Sequence, residues 1–62
     1  MNKLIIFEYE KGELHVFDYP FEIDNHKEVR TQFKKHSEEG LIASSFEECD
    51  YMLSEKLVIN IN

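Results

Sequence analysis

The chain has 62 residues, with 13 Asp and Glu against 7 Lys and Arg and a formal net charge of −6. A chain this short buries only about 60% of its unfolded surface, so one thinly stabilised domain spanning residues 1–62 is expected. The acidic balance argues against direct binding to nucleic acid or to an anionic membrane. The single cysteine, Cys49, rules out an internal disulfide and fits a reducing compartment.

Residues 3–10 and 13–19 are rich in β-branched and aromatic side chains and flank Gly12, which predicts a β-hairpin. A three-residue loop, Glu10, Lys11 and Gly12, with Gly12 in the left-handed conformation of a bulge, suits this composition. That loop sets a register in which Tyr9 faces Glu13, Phe7 faces His15, Ile5 faces Phe17 and Lys3 faces Tyr19. One face of the ribbon is then aromatic: Ile5, Phe7, Tyr9, Phe17 and Tyr19. The other is aliphatic, with Leu4, Ile6, Leu14 and Val16 between Glu8 and Asp18. Pro20 ends the second strand, and Phe21 and Ile23 form an apolar connector.

Asn25 and Glu28 have capping-box spacing, so a helix is expected from there to about Glu39, with Gly40 as its stop. Val29, Phe33 and His36 form its inner stripe, flanked by His26 and Gln32. Lys27, Arg30, Lys34 and Lys35 lie on the outer side. Leu41, Ile42 and Ala43 read as an apolar loop, or one bridge of strand, packing beneath the helices. Ser45 and Glu48 repeat the capping-box spacing and predict a second helix over residues 46–54. Phe46, Cys49, Leu53 and Leu57 would face inward, and Glu47, Glu48, Tyr51 and Glu55 outward. Residues 56–62 alternate apolar and polar, as a final strand does.

The order is ββααβ, an α+β domain whose three-stranded, mainly antiparallel sheet carries both helices on one face. Two short helices can cover one sheet face but not both. The uncovered face keeps large apolar side chains, and a contiguous exposed patch of that kind marks a binding surface or a homodimer interface. Phe21, Ile23, Leu41 and Ile42 are the internal residues available to fold over part of it.

No catalytic or metal motif emerges. His15, His26, His36 and Cys49 are the soft ligands, and no CxxC, HxxxH or HExxH spacing joins them. The two glycines stand apart, so no phosphate-binding loop is present. No enzyme activity and no cofactor are expected. No stretch approaches the ~20 apolar residues of a membrane helix, and no basic-then-apolar leader opens the chain, so a cytoplasmic location is expected.

The expected function is that of a small acidic protein-binding module, a regulator or inhibitor that occupies the functional surface of a partner, with no direct nucleic-acid contact of its own. This compact, cofactor-free build is of the kind associated with phage and mobile-element regulators. The contacts would come from the acidic helix side, Glu47, Glu48, Tyr51 and Glu55, or from the aromatic sheet face, Phe7, Tyr9, Phe17 and Tyr19. The partner would be a protein with a basic surface. One alternative is a DNA mimic, whose carboxylates, extended by Glu8, Glu10, Glu13, Asp18, Glu22 and Asp24, stand in for phosphates. Another is a structural homodimer formed through the free sheet face.

Overall fold

A computed structural model describes residues 2–21 and 25–62. Its elements are β1 (Asn2–Glu8), β2 (Glu13–Tyr19), α1 (His26–Glu38), a 3-10 turn (Phe46–Glu48) and β3 (Cys49–Ser54). The three strands form one antiparallel sheet in the order β2-β1-β3. The class is therefore α+β, with one α-helix among the described residues where two were expected.

β1 is central because it is apolar on both faces. Leu4, Ile5 and Ile6 are all buried, and burial on both sides leaves each edge of the strand in need of a ladder partner. β2 supplies one edge through the hairpin and β3 the other.

The hairpin forms, in a different register. Glu8 pairs with Glu13, Ile6 with His15, Leu4 with Phe17 and Asn2 with Tyr19. The loop is Tyr9 to Gly12, closed by the Gly12 N–H donating to the Tyr9 carbonyl at 3.2 Å, and Gly12 has φ of 63°. One extra loop residue slips the pairing by one, and strand periodicity of two then turns β2 over relative to β1. The predicted aromatic and aliphatic faces are thereby replaced. One face carries Leu4, Ile6 and Glu8 with His15, Phe17 and Tyr19, and the other carries Lys3, Ile5 and Phe7 with Leu14, Val16 and Asp18.

The predicted first helix is present. The Asn25 side chain accepts from the Lys27 N–H at 2.9 Å, and Gly40 follows the helix with φ of 79°. Val29 and Phe33 point inward as expected and join Leu4, Ile6, Tyr19 and Ile42 in the core. Ile42 is thus a core residue beneath the helix rather than a cover for the opposite sheet face.

The predicted second helix does not form beyond its first turn. Its capping box does: the Glu48 carboxylate accepts the Ser45 N–H at 3.2 Å and the Ser45 hydroxyl at 2.8 Å. The chain then straightens into β3. Cys49 and Leu53 satisfy helical spacing, but Cys49, Tyr51 and Leu53 satisfy strand spacing equally well, and the open edge of β1 decides between them. Leu53 lies opposite Leu4, Tyr51 opposite Ile6 and Cys49 opposite Glu8. The predicted final strand is likewise corrected. Residues 57–62 have no regular structure, and Val58, Ile59 and Ile61 are exposed. The strand position it was expected to fill is taken by β3.

Candidate functional site

The helix, the 3-10 turn and the 41–45 loop all belong to the side of the sheet that carries Leu4 and Ile6, as the membership of the core shows. Among the described residues no member of that core lies on the opposite face, which is open. Ile5 lies at its centre and is buried, with Val16 and Met52 as its register neighbours. Around it Phe7 is 38% exposed, Val16 42%, Leu14 48% and Met52 54%. Each of these residues is large, apolar and about half accessible to solvent. A shallow depression at one end is lined by Ile5, Phe7, Leu14, Asp50, Tyr51 and Met52.

Tyr9 extends this patch at the hairpin tip. Its ring meets Phe7 edge-on, with centroids 5.3 Å apart. A hydrogen bond with Asp50 holds the Tyr9 phenol above its ordinary value, because the charged carboxylate favours the protonated hydroxyl. At the other end of the face, Lys3 Nζ donates to Asp18 Oδ1 at 2.7 Å. The apolar patch therefore lies between two polar margins, Tyr9 with Asp50 and Lys3 with Asp18.

Of the predicted sheet-face residues, Phe7 and Tyr9 lie here together. Phe17 and Tyr19 do not. The register turns both to the helix side, where Tyr19 is fully buried and Phe17 stacks on His36 with ring centroids 3.7 Å apart. Leu14, Val16 and Met52 take their places on the open face. Leu14 and Val16 were legible as a pair in the sequence, and only the register assigned them the wrong side.

The acidic helix side is not assembled. Glu47 receives a hydrogen bond from Arg30 Nη2 at 2.9 Å, and Arg30 also sits over the Phe46 ring, 4.9 Å from its centre. Glu48 is committed to the capping box. Tyr51 lies on the helix side of β3, its hydroxyl 3.4 Å from His26 Nδ1. Glu55 is exposed beyond the end of β3. Because residues 49–54 are a strand, Glu47, Glu48, Tyr51 and Glu55 share no helix face. Of the acids invoked for mimicry, Glu22 and Asp24, like the connector residue Ile23, lie outside the described residues. Glu8 is buried and Asp18 is paired with Lys3.

Sequence reasoning missed one constellation. Glu8, 1% exposed, accepts from Ser44 Oγ at 2.8 Å and lies 2.7 Å from His15 Nε2. The Ser44 hydrogen bond is the main reason its carboxyl sits below the ordinary range. Burial opposes the shift, and His15 and the Ala43 backbone reinforce it. A glutamate between Phe7 and Tyr9 in an apolar strand was the available signal. It carried no weight while the register left His15 on the other face.

Comparison with known proteins finds no matching family model, no matching curated protein and no matching solved structure.

Proposed function

We propose that this protein is a protein-binding module that works by docking its open sheet face onto a partner, in the manner of a small regulator or inhibitor. The supporting observation is the half-exposed apolar set Phe7, Leu14, Val16 and Met52 around buried Ile5. A contiguous apolar patch with polar margins has the anatomy of an interface, where an anchor region buries and the rim stays wet.

The partner that fits has an apolar surface rimmed by Lys or Arg. The reasons are the net charge of −6 and the placement of Asp50 at the margin beside Phe7. The same charge disfavours a second copy, since two copies would bring like charges together. The DNA-mimic reading receives less support, because Asp18 and Glu47 are paired with basic side chains and Glu8 is buried.

The test is affinity capture followed by binding measurement with the isolated partner. Leu14→Lys combined with Met52→Lys should weaken that complex at least tenfold while leaving circular dichroism unchanged. Glu48→Lys with Glu55→Lys should have little effect. Equal binding by the sheet-face variant would overturn the assignment. Light scattering on the isolated protein should show a 7.4 kDa monomer. A concentration-dependent dimer that Met52→Lys dissolves would favour the homodimer.

A further inference from the structure

We propose that Glu8, Glu13 and His15 form a binding site for a divalent transition-metal ion of the zinc type, separate from the open sheet face. One ligand atom from each residue lies within 4.8 Å of the others. His15 Nε2 is the shared point, 2.7 Å from Glu8 Oε1 and 3.6 Å from Glu13 Oε2. Donors about 2.0–2.2 Å from a tetrahedral ion stand roughly 3.3–3.6 Å from each other. The His15–Glu13 pair already has that spacing. The His15–Glu8 pair needs to open by under about 1 Å, replacing one hydrogen bond with two metal–ligand bonds.

The backbone explains why a cation belongs here. Glu8 and Glu13 are directly opposed across the hairpin ladder. Like charges at opposed positions destabilise a strand pair, and a cation between them reverses the sign of that interaction. The Glu8 side chain is 1% exposed, whereas Glu13 is 55% exposed and His15 18%. The site is therefore closed on the Glu8 side and open to solvent through Glu13, which leaves a coordination position for water.

The ligands are also supported from behind. Ser44 Oγ donates to Glu8 Oε2, the oxygen not directed at His15, and the Ala43 backbone hydrogen-bonds the same carboxylate. Such outer contacts orient a metal-bound carboxylate. One imidazole with two carboxylates suits zinc, whereas magnesium and calcium prefer all-oxygen sets of six or more ligands. Bound metal would tie the hairpin end to the 41–45 loop through Glu8 and Ser44. A small domain with a limited core is one that benefits from a bridge of this kind.

Calorimetric titration of the tag-free, metal-stripped full chain with Zn2+ tests the site. The expected result is a 1:1 complex with Kd in the micromolar range and a raised melting temperature, neither reproduced by Mg2+. Glu13→Gln removes an exposed ligand without disturbing packing and should weaken Zn2+ binding at least tenfold and abolish the melting shift. His15→Gln should do the same. Absence of binding at millimolar Zn2+ would overturn the proposal. So would a Glu13→Gln protein, folded by circular dichroism, that binds Zn2+ as tightly as the parent. Neither result bears on the sheet-face docking site.

Discussion

At the scale of the residue, the two sides of the sheet ask different things of the same amino acid. Leu4 is fully buried against α1, whereas Leu14 is 48% exposed on the open face. Leu4→Ala should cost about 2–5 kcal/mol, the usual range for a buried leucine that leaves a cavity. Leu14→Ala should change stability by only about 0.5 kcal/mol. Denaturant unfolding of the two variants measures the contrast directly, and equal costs would mean that the Leu14 side is covered in solution. His36 poses a related question of environment. Its ring stacks on Phe17, its Nδ1 is 3.3 Å from Glu39 Oε1 without good hydrogen-bond geometry, and its Nε2 has no hydrogen-bond partner among the described residues. Stacking rather than hydrogen bonding places that ring.

At the scale of the element, one substitution of strand for helix reorganises the second half of the chain. The Ser45–Glu48 box starts a turn that any helix would share, and the turn ends because Cys49 to Ser54 can extend the sheet. The first helix was legible because its cap, its stop and its stripe of Val29 and Phe33 agree with one another. The region after Phe46 was not, because helical and strand periodicities coincide at Cys49 and Leu53. Residues 57–62 then read as a strand by local alternation alone, a signal that cannot register whether an edge remains to pair with. Removing residues 58–62 should therefore shift the unfolding free energy by only about 0.5 kcal/mol. A loss of several kcal/mol in thermal or urea unfolding would restore that segment to the sheet.

At the scale of the whole molecule, the surplus of acid shapes the response to pH. Glu8, Glu47 and Glu48 have folded-state values below the ordinary carboxylate value of 4.5, and Asp18 lies below its 3.8. The causes are hydrogen bonds that favour the charged form: Ser44 foremost at Glu8, Lys3 at Asp18, the local backbone and then Arg30 at Glu47, and Ser45 at Glu48. A depressed folded value means that the unfolded chain binds more protons, so folding stability rises with pH across this window. The contribution is present above pH 4.5 and is lost as the pH falls through the lowered values. Melting temperature should accordingly drop steadily as the pH falls below 4.5, and Glu8→Gln should flatten that dependence. An unchanged profile in the variant would remove Glu8 from the account.

The amino-acid sequence by itself determined the hairpin, the first helix with its caps, the apolar loop around Ile42 and the surplus of apolar sheet surface over helical cover. Each rests on interactions among neighbours in the chain, or on a count of side chains against the area available to bury them. Tertiary structure alone decided the pairing register, the fate of residues 49–54 and which sheet face stays open. Those outcomes depend on a one-residue difference in loop length and on competition for the edge of β1, and neither leaves a distinct local pattern. The register also brought Glu8, Glu13 and His15 to one point and moved Phe17 and Tyr19 from the exposed surface to the buried side. Both candidate sites therefore follow from how two strands align, a long-range choice that periodicity within either strand cannot express.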